Sequence, residues 1–158
     1  MFRGIFETTI DVKGRTSLPA KFRDVLVEAF GDERFFVTNS VPVALGDGAH
    51  SSGLLVFPFK EWFLFEENFL NSKGLTSAQR NSIMRTIVAP AVECSADKLG
   101  RMLIPPHLRK SACLEREILF VGTLKKAEIW SRAEWDKVRA QDVVDFPSGT
   151  EAAAELGL

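Results

Sequence analysis

Residues 11 to 23 read Asp-Val-Lys-Gly-Arg-Thr-Ser-Leu-Pro-Ala-Lys-Phe-Arg, and residues 97 to 109 read Asp-Lys-Leu-Gly-Arg-Met-Leu-Ile-Pro-Pro-His-Leu-Arg. At a constant offset of 86, Asp11/Asp97, Gly14/Gly100, Arg15/Arg101, Pro19/Pro105 and Arg23/Arg109 are identical, and Glu7/Glu93 falls on the same offset. Self-similarity at a fixed spacing outranks local propensity when a fold is inferred. Further on, Leu54 to Trp62 lines up with the run ending at Trp135, now at an offset of 73. The drop from 86 to 73 puts a 13-residue insertion in the first copy, in the loop around Pro42 to Ser52. The chain is a tandem duplication.

Outward from the two motifs, each copy reads as strand, turn, strand, helix, strand, strand, helix. Phe6 to Ile10 alternates in the manner of a pleated surface and predicts a strand. Asp11 to Arg15 predicts a turn, since Asp can accept from the backbone two residues on and Gly14 supplies a positive φ at no steric cost. Pro19 at the first helical position opens a helix that Gly31 ends. Strands are predicted over 34–38 and 53–57, then a helix over 60–70 with Trp62, Phe63, Phe69 and Leu70 turned to the core. Thr76 and Gln79 form a capping box for a second helix. The second copy repeats the pattern, with strands at 92–96 and 102–104, a helix from Pro105 or Pro106, and a hairpin around Leu124 to Lys126. A copy of about 50 residues is too small to bury its sheet alone. The expected architecture is therefore α+β: a pseudo-twofold β-barrel of two interlocked repeats with helices around it. The expected division is residues 1–72, a linking helix at 73–90, a second repeat at 91–140 and an acidic, mobile tail at 141–158.

Charge has to be divided before it is interpreted. The net charge is −1, but residues 142 to 158 hold Asp142, Asp145, Glu151 and Glu155 with no basic residue, which leaves the body at +3. Residues 1–23 and residues 97–110 each carry +3, so the excess positive charge lies on the repeated motifs. No apolar run reaches the roughly 20 residues that span a bilayer, and Met1-Phe2-Arg3-Gly4 does not open a signal peptide. Cys94 and Cys113 lack metal-ligand spacing, and the simple expectation is a reducing, cytoplasmic compartment with no metal and no small-molecule cofactor.

The Asp-x-x-Gly-Arg turns are the most specific chemical signal. In one reading the Arg pairs with the Asp four residues before it and only holds the turn. In the other it stands at the tip of a β-turn, able to reach a phosphate or a guanine edge, a contact typically worth about 1–3 kcal/mol. Lys13 adds cationic charge to the first turn, whereas the second has Leu99 there and Lys98 one place earlier. Arg80 and Arg85 read as solvated charges. His50 and His107 have no ligand-spaced companions, and Gly46 to Gly53 lacks the Gly-Lys-Ser/Thr ending of a phosphate loop, so it reads as a flexible hairpin loop. The thirteen Phe and three Trp serve the core, and the lack of any Tyr weakens a base-stacking platform.

The doubled Asp-x-x-Gly-Arg…Pro…Arg segments, the opening Met1 to Gly4 and the close Glu128-Ile129-Trp130…Trp135 resemble the MraZ family, bacterial transcriptional regulators built from two AbrB-like repeats in one chain. The resemblance covers residues 1 to 140. It implies a swapped-hairpin β-barrel, assembly into a ring, nucleoid association, and binding of double-stranded DNA at short direct repeats in the promoter of the division and cell-wall gene cluster. Carried over by position, the DNA-contact candidates are Arg15, then Lys13 and Arg3, with Arg101 the equivalent in the second copy. Two other classes compete. A β-barrel enzyme lacks a nucleophile–base couple or metal cluster, and a ring-forming protein-interaction module would use its basic turns only to hold structure.

Overall fold

Ile5–Thr9 forms β1 and Arg15–Ser17 forms β2 in the computed structural model, which describes all 158 residues. Helix α1, Ala20–Val25, runs on as a π-helical turn over Leu26–Phe30, and Gly31 stops it with φ +71°. Pro19 sits one place earlier than its sequence position suggests, at the N-cap. The first copy continues through β3 (Phe35–Asn39), a small hairpin of β4 (Val43–Ala44) and β5 (His50–Ser51), β6 (Leu54–Pro58) and α2 (Phe59–Asn71). Helix α3, Ser77–Ile83, has the predicted Thr76–Gln79 capping box and continues as a π-helical turn over Met84–Val88. The second copy supplies β7 (Val92–Cys94), β8 (Arg101–Leu103), α4 (Pro106–Ser111), β9 (Glu117–Gly122), β10 (Ala127–Ser131) and α5 (Arg132–Asp145). A short α6, Glu151–Glu155, follows with Thr150 as its cap.

The fold is α+β, with mostly antiparallel pairing. Six strands form one sheet in the order β1-β9-β10-β6-β3-β7, and β2 pairs separately with β8. Each copy lends its first strand to the other. β1 pairs with β9 of the second copy, from Ile5 opposite Val121 to Thr9 opposite Glu117, and β7 pairs with β3 of the first, with Phe35 opposite Cys94. The six-stranded sheet does not close on itself, because its edges β1 and β7 are not paired with each other.

This exchange leaves one core. Of its eighteen buried residues, nine come from the first copy, among them Phe2, Phe22, Leu26 and Phe35, and nine from the second, among them Met102, Ile104, Leu108 and Phe120. Phe22 lies at the seam. Its ring centroid is 5.1 Å from Phe2, 5.3 Å from Phe6 and 6.2 Å from Phe120 of the other copy, each edge-on. A smaller cluster of Phe57, Trp62 and Ile87 ties α2 and the end of α3 to the sheet.

Register places the insertion more finely than the sequence offset does. Phe35 pairs with Pro58 and Ile118 with Ser131, spans of 23 and 13 residues, so ten of the extra residues lie in the hairpin and the other three in the longer helix after Arg23. The hairpin is also structured, since the Gly46 amide donates to Gln141 Oε1 of α5 at 2.9 Å and Ser51 Oγ to Glu134. On α2 the buried stripe is Trp62 and Phe69, seven residues apart; Phe63 and Leu70, each one step further round the helix, are exposed, against expectation. Arg80 is not merely solvated. Its guanidinium donates to the carbonyls of Phe69 at 3.0 Å and Ser72 at 2.7 Å, satisfying orphan acceptors at the end of α2. Both cysteines are free thiols, Cys94 buried and Cys113 exposed.

Because both copies build the same core, Phe22→Ala should destabilise the whole chain by about 3–5 kcal/mol. Thermal unfolding should remain a single transition, coincident by circular dichroism and tryptophan fluorescence. A split into two transitions would mean that the copies have separate cores.

Candidate nucleic-acid interface

The two motif turns are the same object built twice. Asp11 Oδ1 accepts the amides of Lys13 and Arg15, both at 2.9 Å, and its Oδ2 accepts Arg15 Nε at 2.8 Å. Asp97 Oδ1 accepts the amides of Leu99 and Arg101 at 2.9 Å, and its Oδ2 accepts Arg101 Nε at 3.0 Å. The chain reverses at Gly14, φ +88°, and Gly100, φ +76°, in the left-handed region that other residues enter only with strain. Both carboxyls are held below the ordinary carboxylate range, first by the backbone amide of the paired Arg and, for Asp11, next by the Arg side chain. The structural role of the Arg is therefore real. It is also incomplete, because Arg15 spends only Nε on Asp11 and its side chain stays 44% exposed.

The β2·β8 ladder sets the two arginines side by side. Arg15 stands opposite Leu103, Thr16 opposite Met102 and Ser17 opposite Arg101. Thr16 and Met102 are buried, so Arg15, Ser17, Arg101 and Leu103 share the outward face, with Arg15 and Arg101 diagonal neighbours at a separation of roughly 7–8 Å. The turn tips carry Lys13 and Lys98, and Val12 at one tip is 95% exposed.

Arg3 is not part of this face. It lies beside the β9–β10 turn, where the Phe2 amide donates to the Leu124 carbonyl at 2.7 Å, at the opposite end of β1 from Asp11. At about 3.3 Å per strand residue, that is on the order of 20 Å away. His107 Nε2 donates to the Pro90 carbonyl, 3.0 Å away, and no three His, Cys, Asp or Glu side chains converge as a metal site.

Two residues matched in the repeat alignment but given no role there prove to touch the turns, each in the opposite copy. A Cβ at Gly14 would fall 2.5 Å from the Ile104 carbonyl oxygen and 2.8 Å from Arg109 Nε, and one at Gly100 would fall 2.9 Å from the Arg23 guanidinium. Arg109 Nη1 donates to the Val12 carbonyl at 3.2 Å, while its Nε is buried with no acceptor. The Ile104 amide donates to the Gly14 carbonyl at 2.8 Å and the Leu18 amide to that of Gly100 at 2.9 Å. The clue in the sequence was the co-repetition of Gly14 with Arg23 and Gly100 with Arg109 at the shared offset.

The depressed carboxyls have a pH signature. A group whose folded pKa lies below its unfolded value stabilises fully above the unfolded value and loses that contribution as pH falls through the folded one. Asp11 and Asp97 should thus keep both turns intact from neutral pH down to the ordinary 3.8, with the loss confined to lower pH. Carboxyl titration by NMR checks this, and a midpoint above 3.8 for either Asp would contradict the turn geometry.

Known proteins match both copies. A family model described as "MraZ protein, putative antitoxin-like" matches residues 87–157. The chain is 81% identical to the transcriptional regulator MraZ of Geobacter metallireducens and 72% identical to that of Geobacter sulfurreducens, in both cases over the full length of each chain. It is 37% identical to the transcriptional regulator MraZ of Caldanaerobacter subterraneus subsp. tengcongensis, with 92% of each chain covered. At these identities across both copies of the motif, the chain belongs to the MraZ family of transcriptional regulators.

Proposed function

We propose that this transcriptional regulator binds double-stranded DNA directly through the outward face of the β2·β8 ladder. The observation that carries the proposal is the placing of Arg15 and Arg101 on one exposed face, Arg15 with only its Nε on Asp11 and both terminal nitrogens left over, and Arg101 with Nε and Nη2 on Asp97 and Nη1 left over. An Arg fixed in this way presents a rigid donor fork suited to a guanine edge or a phosphate. Arg15 leads, because Lys13 beside it adds a phosphate contact that Leu99 cannot; Arg101 is the second contact. Arg3 can meet the same duplex only further along its backbone or across a subunit boundary.

One such face has few cations, so sequence-specific binding calls for several copies on adjacent sites. A ring of subunits on short direct repeats gives that through effective concentration. The promoter of the division and cell-wall gene cluster, within the nucleoid of the cytoplasm, is the proposed target, and no helix here is long and apolar enough to cross a membrane. No cofactor is invoked. Within a subunit, the strand order supports two repeats, residues 1–72 and 91–140, packed about a pseudo-twofold between β10 and β6, joined by the linker at 73–90 and followed by the acidic tail at 141–158. The ladder then links the two sheet edges into a barrel-like closure, since Ile10 bridges Thr16 on one side and the Asp97 amide reaches the Arg101 carbonyl at 2.8 Å on the other. A second reading, a protein-interaction module without DNA contact, draws on the exposed Phe63, Leu70 and Met84 of α2 and its neighbour.

Binding of a promoter fragment with short direct repeats, titrated with salt, separates the two. Wild type should bind with a steep inverse salt dependence. Arg15→Ala should lose sequence-specific binding with its melting temperature little changed, and Lys13→Ala should weaken all sequences about equally and lower the salt slope by about one. Wild type that ignores DNA, with its ring intact, would favour the protein-interaction reading.

A further inference from the structure

The arginine-bearing turns are gripped crosswise, and we infer that Arg109 and Arg23 are positioning residues, each fixing the turn of the other copy. Around turn 1 the chain's own copy supplies the Asp11 carboxylate and two backbone bonds, from the Asp11 amide to the Arg15 carbonyl and from the Gly14 amide to the Asp11 carbonyl, both at 2.9 Å. The other copy holds the tip from outside. Ile104 donates its amide to the Gly14 carbonyl at 2.8 Å, and Arg109 donates Nη1 to the Val12 carbonyl at 3.2 Å. The guanidinium of Arg109 lies where a side chain on residue 14 would have to go, its Nε 2.8 Å and its Cζ 3.0 Å from the place a Cβ would occupy. Two of the three carbonyls between Val12 and Gly14 are thus held from the second copy.

Turn 2 has the same plan with one bond fewer. The Leu18 amide holds the Gly100 carbonyl at 2.9 Å and the Arg23 guanidinium packs on Gly100 from 2.9 Å, but Arg23 makes no hydrogen bond to the turn and is exposed, whereas Arg109 is half-buried. The buttress is therefore stronger under the turn that bears Lys13 and Arg15. An Arg is required at this place and a Lys is not equivalent. Only a planar fork can lie against the glycine and reach a carbonyl at the same time, and an ammonium would be a point charge on a flexible stem. For its functional half this inference rests on the proposal that the ladder face binds DNA. For its structural half it does not.

The test uses the full-length protein with Arg109→Lys, Arg109→Ala, Arg23→Ala and Arg15→Ala, amide hydrogen exchange resolved by residue, and binding to the direct-repeat promoter fragment. Arg109→Ala should speed exchange at Lys13, Gly14 and Arg15 by about tenfold, the loss of one charge-assisted bond, and leave Leu99, Gly100 and Arg101 unchanged. Arg23→Ala should act on Leu99 to Arg101, and more weakly. Arg109→Lys should resemble Arg109→Ala, and it carries the same exchange test if the alanine variant does not fold. DNA binding should weaken about tenfold with either change at Arg109 and less with Arg23→Ala. Exchange that quickens in the variant's own copy, or evenly over the chain, would overturn the crosswise assignment, as would full rescue by lysine. Wild-type DNA affinity in Arg109→Ala, when Arg15→Ala has lost it, would overturn the positioning role. If Arg15→Ala also binds as wild type does, it is the DNA reading that fails, and the exchange pattern alone decides the buttress.

Discussion

The structure depends on a ladder of only three residues a side. Strands β2 and β8 are too short to persist alone, and they hold because Gly14 and Gly100 let the chain reverse tightly enough for each turn to accept an amide from the opposite copy, Ile104 to Gly14 and Leu18 to Gly100. That pair of bonds commits the two copies to each other. Once Ile104 and Leu18 are drawn under the turns they are fully buried, and the helices that follow them bring Leu108 and Phe22 into the same core. The exchange of β1 and β7 across the sheet extends the same logic. Neither half has a complete sheet or a complete core without the other.

Electrostatics at the ladder is a matter of geometry more than of stabilising energy. Exposed ion pairs such as Arg15–Asp11 and Arg101–Asp97 contribute little to folding, typically about 0–1 kcal/mol. What Asp11 does is aim. By accepting two amides with one oxygen and Arg15 Nε with the other, it fixes the turn and the guanidinium together. Each Asp cancels one charge of its turn, and a net charge of −1 is compatible with a cationic face because residues 142–158 carry −4 and leave the body at +3. The remaining positive charge of Lys13 and Lys98 is at the rim, where salt screens it most.

Much of this was legible in the sequence because duplication is visible to the eye. The offset of 86 fixed the equivalence of the turns, and Asp, Gly and Arg at their spacing specified the turn chemistry. Partner choice was not legible, since one strand-turn-strand motif has the same local signals whether it pairs within its copy or across copies. That is why Arg23 and Arg109 were seen as repeated residues without a role, and why the offset alone put all thirteen extra residues in one loop when strand register puts ten there. The orientation of α2 failed for a related reason. Trp62, Phe63, Phe69 and Leu70 are all apolar, so periodicity could not say which two face the sheet. The role of Arg80 as a cap for α2 needed the fold of the intervening loop.

The central claim, that both Asp-x-x-Gly-Arg turns present one face to DNA, is most directly tested by site-specific photocrosslinking. A photoreactive side chain would be placed in turn at Val12, at Leu99 and at Leu124, all exposed, with Leu124 at the opposite end of β1 beside Arg3. With promoter DNA bound, crosslinks to the duplex should form from positions 12 and 99 and be weak or lacking from position 124. Crosslinking from position 124 alone, or from none of the three while DNA remains bound, would contradict the account.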